Sequence, residues 1–168
     1  MNLVLCGMMG CGKTTVGRLL AKSLQWEWAD TDEYIISRYG NISKIFEEKG
    51  VSHFRDLETE TVKMLTQKDR LVISTGGGIL LRKENISLLK KNGRMIYLRA
   101  KKETLAARLQ DNDSRPLLQT KESLDEKLTR LLEERAGLYE GAADVVVDVD
   151  AKAPEKIVRE VLACIAIK

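Results

Sequence analysis

The sequence predicts an α/β fold in three layers, with a five-stranded parallel sheet between helices on both faces. The first observation behind this prediction is an alternation of short, apolar, β-prone runs with helical patterns, which is typical of parallel strands joined by helical crossovers. The five runs are Asn2–Cys6, Glu27–Thr31, Leu71–Thr75, Met95–Arg99 and Asp144–Val149. The second is a glycine-rich stretch, 7–14, between the first run and the first helical pattern. In such sheets ligands bind beyond the carboxyl ends of the strands, so the residues after each run are the candidates for function.

Length, charge and cysteine usage limit the classes of protein. The 168 residues contain no repeat, low-complexity tract or linker, and we expect one domain over 1–168. The formal net charge is only +3, from 28 basic and 25 acidic residues spread along the chain, which argues against a nucleic-acid partner. No apolar stretch approaches a membrane span. Cys6, Cys11 and Cys164 are odd in number and without C-x-x-C spacing, which favours a reducing cytoplasm over disulfides or zinc. We therefore expect a cytoplasmic monomer that has no membrane partner.

The stretch 7–14 reads GMMGCGKT and fits G-x-x-x-x-G-K-[ST], the phosphate-binding P-loop. Its glycines let successive backbone N–H groups turn toward a phosphate, and the helix that starts near Lys13 adds the positive end of its dipole. Lys13 is predicted to bind the β- and γ-phosphates, and the Thr14 hydroxyl to bind Mg²⁺. The residues predicted to hold a nucleoside triphosphate are Gly7, Gly10, Cys11, Gly12, Lys13, Thr14 and Thr15. The alternative is an accidental glycine-rich turn, and the flanking strand and helix argue against it.

Two carboxylates, Asp30 and Asp32, lie at the end of the second run. Many P-loop proteins end an apolar strand in an aspartate that helps to hold Mg²⁺, but here the third run ends in Ser74 and Thr75 and is followed by three glycines. Asp30 and Asp32 are the nearest candidates for the missing carboxylate. One would serve the metal and the other would accept a proton or hydrogen bond from a substrate hydroxyl. The alternative is that Asp32 caps a helix over Glu33–Tyr39.

Two features of the middle of the chain admit two interpretations each. Arg55 and Glu58 are three residues apart and can pair on one helical face, either in a site or as an exposed surface pair of little energetic weight. Gly76, Gly77 and Gly78 bring the backbone close to a ligand, or form a turn that needs one positive φ.

The last third of the chain supplies two further arginines. Arg115 lies in a polar stretch between helices, which is either an idle loop or a lid whose cation reaches the transferring phosphoryl group. Arg135 and Tyr139 are neighbours on a helix that begins near Leu124, and a simple stacking pair is the alternative to a site.

Together these motifs resemble the shikimate kinase family, in the same order and from about residue 2 to 149. The P-loop is common to many kinases, and the other pieces are more specific. They are the D-x-D motif Asp30-Thr31-Asp32, the F-R-x-x-E motif Phe54–Glu58, the triplet Gly76-Gly77-Gly78, the lid motif Arg115-Pro116-Leu117 and the E-R-x-x-L-Y motif Glu134–Tyr139. The resemblance implies the fold of nucleoside monophosphate kinases, with a helical substrate-binding segment at about 33–60 and a lid at about 111–124. It implies ATP-dependent phosphorylation of the 3-hydroxyl of shikimate, with Mg²⁺ as cofactor.

The resemblance also implies roles for single residues in the acceptor site. Asp32 would bind substrate hydroxyls and act as the base. Arg55 and Arg135 would grip the carboxylate of shikimate, which suits guanidinium forks, and Glu58 would orient Arg55. The glycine triplet, chiefly Gly77 and Gly78, would offer its amides to the substrate.

On the nucleotide side, the resemblance implies that Asp30 supports Mg²⁺ with Thr14. Lys13 and Arg115 would stabilise charge on the transferring phosphoryl group, and Arg108 would contact the nucleotide base.

Two other functions stay open at this stage. A related small-molecule kinase for gluconate or a nucleoside monophosphate would share the P-loop and lid, but would not need Arg55 and Arg135 around a glycine triplet. A P-loop switch or binding module would hydrolyse little nucleotide, and the N-K-x-D stretch typical of guanine recognition does not occur in the sequence.

Overall fold

The computed structural model describes residues 1–110 and 122–166. Within them, five strands form one sheet in which each neighbouring pair is parallel. The strands are β1 (Asn2–Cys6), β2 (Glu27–Asp30), β3 (Leu71–Ser74), β4 (Gly93–Arg99) and β5 (Val145–Asp148). Their order across the sheet is β2-β3-β1-β4-β5. The predicted five-stranded parallel sheet is confirmed.

Helices cover both faces of this sheet. They are α1 (Lys13–Leu24), α2 (Thr31–Tyr39), α3 (Ile42–Leu65), α4 (Lys83–Lys91), α5 (Lys102–Gln110), α6 (Leu124–Ala142) and α7 (Pro154–Ala166), with a short 3₁₀ turn at Ile79–Leu81. Helices α1 and α7 pack together over one face, while α3, α4 and α6 lie over the other. No helix in the described ranges is long and apolar enough to cross a membrane.

The first helix after β2 begins earlier than the sequence predicted. Asp30 takes an extended conformation at the N-cap of α2, and its Oδ1 accepts hydrogen bonds from the backbone N–H groups of Asp32 at 2.9 Å and Glu33 at 3.2 Å. The alternative in which Asp32 caps this helix is therefore wrong, since Asp30 does so. The residue that sequence analysis placed at the end of the second strand, Thr31, is the first residue of α2.

Two apolar cores hold these layers. The main core surrounds the central strand β1, which is wholly buried, as expected for a strand with parallel neighbours on both sides. A smaller core of Ile35, Ile45, Phe54 and Leu57 joins α2 to α3. Gly50 interrupts α3 with a φ of 82°. The small core therefore fixes α2 and α3 as a unit beside the carboxyl ends of β2 and β3.

Candidate active site

The loop between β1 and α1 has the conformation that the P-loop pattern predicts. Gly10 and Gly12 take φ values of 82° and 101°, which other residues rarely adopt. Gly12 is the N-cap of α1 and provides no side-chain hydrogen bond. The Lys13 Nζ donates to the carbonyls of Gly7 at 2.7 Å and Met8 at 2.9 Å, so its cation lies over the loop. The N-terminus of α1 and this ammonium together form an anion-binding surface.

The remaining predicted nucleotide residues differ in exposure. Cys11 is fully buried, with its Sγ 3.7 Å from Lys13 Nζ, while Thr15 is exposed on the first turn of α1. Arg108, on α5, donates from Nη1 to the carbonyl oxygen of Gly10 at 3.2 Å. The structure thus brings Arg108 onto the P-loop. Arg115 and most of the predicted lid lie outside the described residues.

The side chains of Thr14 and Asp30 meet beside the P-loop. The Thr14 hydroxyl donates to Asp30 Oδ2 at 3.0 Å, while the other oxygen of the same carboxylate caps α2. These oxygens suit Mg²⁺, a hard cation that takes one or two protein ligands and completes its shell with phosphates and water. Within residues 1–110 and 122–166, no three His, Cys, Asp or Glu side chains group as a metal cage. A Mg²⁺ ion that arrives with the nucleotide phosphates therefore fits this pair.

Ser74, at the end of β3, takes part in a relay that sequence analysis missed. The Trp28 Nε1–H donates to Ser74 Oγ at 3.0 Å, and Ser74 Oγ donates to the backbone carbonyl of Lys13 at 2.8 Å. A methyl group at Gly17 would collide with both Ser74 and Trp28. At the strand end where many P-loop proteins place an aspartate, this chain has a hydroxyl that fixes the start of α1.

The Arg55–Glu58 pair is not the exposed surface pair that the sequence left open. The Arg55 Nη1 donates to Glu58 Oε2 at 2.6 Å, and the Glu58 side chain is 1% exposed while that of Arg55 is 17% exposed. Burial raises the pKa of Glu58 above its ordinary value, and the charge and hydrogen bonds of Arg55 oppose part of that rise. A buried carboxylate thus holds a partly exposed guanidinium in place.

The three glycines after β3 have a steric reason. None of them takes a positive φ, so the alternative of a turn that needs one is wrong. A methyl group at Gly76 would lie 2.7 Å from Asp32 Oδ1, and one at Gly78 would lie 2.5 Å from both terminal nitrogens of Arg55. A methyl group at Gly77 would lie 3.3 Å from Arg135 Nη1. Each glycine therefore leaves room for one predicted acceptor-site residue, and these residues come from α2, α3 and α6.

The glycine triplet also lies against the P-loop. The same methyl group at Gly77 would be 3.9 Å from the carbonyl oxygen of Gly7. Between β3 and the triplet, the Thr75 hydroxyl donates to the carbonyl of Leu5 in β1 at 3.0 Å. The backbone N–H of Gly76 donates to the Thr31 hydroxyl at 2.8 Å. The acceptor and nucleotide sides of the site are therefore adjacent and share the edge of the sheet.

Tyr139 is a second residue that the sequence did not identify as part of the site. It does not stack on Arg135. Its ring packs on Tyr97 with a centroid distance of 5.2 Å, and its hydroxyl donates to the carbonyl of Gly77. The sequence does contain a signal that Arg135 and Tyr139 point inward, which is their spacing along α6. The residues at this spacing of three or four are Leu128, Leu131, Arg135, Tyr139 and Ala142. Arg135 and Tyr139 thus occupy the stripe that faces the core.

Comparison with known proteins gives consistent matches along the chain. The family model described as "Shikimate kinase" matches residues 9–166. A shikimate kinase of Thermodesulfovibrio yellowstonii is 44% identical over 162 residues, which cover 96% of this chain and 92% of that relative.

Solved structures agree with the sequence relatives. The structure titled shikimate kinase from Acinetobacter baumannii in complex with shikimate aligns with a TM-score of 0.93 and 37% identity, over 98% of this chain and 92% of that one. A gluconokinase from Sinorhizobium meliloti aligns with a TM-score of 0.66 and 23% identity, over 98% of this chain and 91% of that one. At that identity the gluconokinase shows a shared fold alone.

Proposed function

Because the chain belongs to the shikimate kinase family, we propose that the site described above transfers the γ-phosphoryl group of ATP to the 3-hydroxyl of shikimate. The chain is a kinase, a phosphotransferase with an alcohol group as acceptor. One observation carries the assignment of the site. Asp32, Arg55 and Arg135 converge on three consecutive glycines that lie against the P-loop.

On the acceptor side, Arg55 and Arg135 bind the carboxylate of shikimate. Guanidinium groups present paired N–H donors that match the two oxygens of a planar carboxylate. Glu58 holds Arg55 through the 2.6 Å hydrogen bond, so little side-chain entropy is left to lose when the substrate binds. The amides of Gly77 and Gly78 complete this side of the site.

Asp32 binds the hydroxyl groups of shikimate and accepts a proton from the reacting one. Its carboxylate lies over Gly76, and the preceding residue, Thr75, donates its hydroxyl to the carbonyl of Leu5 in β1, the strand that leads into the P-loop. A base that lies between the acceptor side and the P-loop can hold a hydroxyl in line with the γ-phosphorus.

On the nucleotide side, the P-loop amides and Lys13 bind the phosphates, and Arg108 lies close enough to the loop to contact the nucleotide. Charge on the transferring group is stabilised by Lys13 and, as the family resemblance implies, by Arg115. Thr14 and Asp30 hold Mg²⁺, which neutralises phosphate charge when bound. Most of the rate enhancement then comes from positioning and electrostatics rather than from covalent chemistry.

We also propose that the enzyme works in the cytoplasm as a monomer. The three cysteines are free thiols, which suits a reducing compartment. The described acceptor-site and P-loop residues all come from one chain, so the proposed chemistry requires no second copy.

The deciding experiment is ADP release from Mg²⁺·ATP with shikimate, gluconate or AMP as acceptor. Release that depends on shikimate alone is expected. Release with gluconate or AMP instead would support the related-kinase alternative and remove the carboxylate role of Arg55 and Arg135. Equal binding of GTP and ATP without acceptor-dependent release would support a switch or binding module.

A further inference from the structure

Tyr139 connects three parts of the site although no motif role is assigned to it. It is 1% exposed, and its hydroxyl donates to the carbonyl of Gly77 in the glycine triplet. Its ring packs on Tyr97 of β4 at 5.2 Å, and its oxygen is 3.9 Å from Met8 Sδ in the P-loop. One turn earlier on the same helix lies Arg135. A single buried side chain thus contacts the acceptor side and the nucleotide side at once.

The chemistry of a phenol suits this position. A hydroxyl has one proton to donate and two lone pairs to accept with. The proton is used by the Gly77 carbonyl, so the lone pairs are left to accept hydrogen bonds from neighbouring donors. Burial raises the pKa of Tyr139 above its ordinary value, and the neighbouring Arg135 opposes part of that rise. The hydroxyl therefore stays protonated as a donor through neutral pH.

Gly77 lies between the two side chains. A methyl group there would be 3.3 Å from Arg135 Nη1 and 3.7 Å from the Tyr139 hydroxyl. The Nε of Arg135 is buried and has no hydrogen-bond partner among the described residues. This end of the guanidinium therefore has no polar partner within the described part of the chain, while its Nη1 and the phenol oxygen lie beside the same point on Gly77.

We propose that Tyr139 is a positioning residue for the acceptor: its hydroxyl sets the separation between the backbone of Gly77 and the guanidinium of Arg135. This inference rests on the proposed function, because the group that Arg135 grips is the carboxylate of shikimate. Tyr139 touches no reacting atom. It acts through the two groups that bind the acceptor.

The test removes only the hydroxyl. Tyr139→Phe keeps the ring that packs on Tyr97, but it removes the donor to the Gly77 carbonyl and the hydroxyl that lies beside Arg135 Nη1. We expect the KM for shikimate to rise about tenfold, as for a buried polar group that loses its partner, while the KM for ATP changes less than about twofold. Tyr97→Phe is the matched control, since it removes a buried hydroxyl from the other ring of the same pair. It should leave both KM values unchanged.

A second variant tests whether Tyr139 acts through Arg135. In an Arg135→Ala background, the further change Tyr139→Phe should alter the KM for shikimate by less than about twofold, because the group to be positioned is gone. Equal and independent effects of the two changes would overturn the inference.

The remaining outcomes separate this inference from the proposed function. A wild-type enzyme whose ADP release ignores shikimate would overturn the proposed function, whatever Tyr139 does. A wild-type enzyme that responds to shikimate, with an unchanged KM for shikimate in Tyr139→Phe, would overturn only the role of Tyr139. A rise of the same size in Tyr97→Phe would also overturn it, since the effect would then report any lost buried hydroxyl.

Discussion

Replacing Gly78 with alanine should weaken acceptor binding through Arg55. The added methyl group would lie 2.5 Å from both terminal nitrogens of Arg55 and 2.7 Å from its Cζ. Non-bonded heavy atoms settle at about 3.5 Å or more, so the guanidinium has to retreat by roughly 1 Å. It cannot easily leave Glu58, because an unpaired buried carboxylate costs several kcal/mol. We therefore expect the guanidinium group of Arg55 to rotate about its hydrogen bond to Glu58, away from the glycine triplet.

The size of the effect follows from the bonds at risk. A hydrogen bond between charged groups contributes about 1.5–3 kcal/mol, and about 1.4 kcal/mol is a factor of ten in binding. We therefore expect the KM for shikimate to rise by roughly 10- to 100-fold while the KM for ATP stays near the wild-type value. The Arg55 side chain is 17% exposed, so it has room to move, and we expect a loss of stability of only about 1 kcal/mol.

Steady-state kinetics for both substrates, together with thermal unfolding, measure this split. Gly137→Ala is the matched control, because a methyl group there has no neighbour within 4 Å and Gly137 lies inside α6. It should leave both KM values unchanged and raise stability by about 0.5–1 kcal/mol. A wild-type KM for shikimate in Gly78→Ala, or an equal rise in both KM values, would refute the steric argument.

Three further changes test other parts of the site. Lys13→Ala removes the cation over the P-loop and should lower kcat by at least about 10²-fold; near-normal kcat would contradict the P-loop assignment. Asp32→Asn keeps the shape but not the base and should lower kcat by about 10²- to 10⁴-fold, with an unchanged unfolding temperature as the control for folding. The raised pKa of Glu58 means that its contribution to stability is complete below the ordinary value of 4.5 and is lost as pH rises through the folded-state pKa. The unfolding free energy of the wild type minus that of Glu58→Gln should therefore fall with pH in denaturant titrations above pH 4.5, and an increase would contradict the argument.

The fold was largely predictable because its signals are local. The strand Asn2–Cys6, for example, is an apolar run followed by glycine, and both of its predicted ends match the structure. The start of β4 was not predicted correctly, because Gly93 and Arg94 look like a turn in the sequence. They join the sheet by pairing with Asn2 and Leu3. That pairing connects residues about ninety positions apart, which no window of sequence shows.

The candidate site was predictable in its residue types but not in its geometry. The spacing of Arg55 and Glu58 predicts a pair, but only the packing of α3 determines that Glu58 is buried. The glycine triplet predicts a backbone that approaches a ligand, but it does not predict the three side chains that the structure places against the glycines. Tyr139 was visible as a neighbour of Arg135, but its role was not predictable, because its hydroxyl bonds a backbone carbonyl 62 residues away.

The glycine triplet has a consequence for how acceptor preference can change during evolution. Each of its positions faces a side chain from a different helix, so a larger residue at one position calls for a compensating change in a distant part of the sequence. A single substitution, either of a glycine or of the side chain that faces it, weakens binding of the present acceptor before binding of a new acceptor is gained. A lineage that keeps this fold but adopts another acceptor would therefore replace the triplet and its facing side chains together, and positions 76 to 78 should covary with positions 32, 55 and 135.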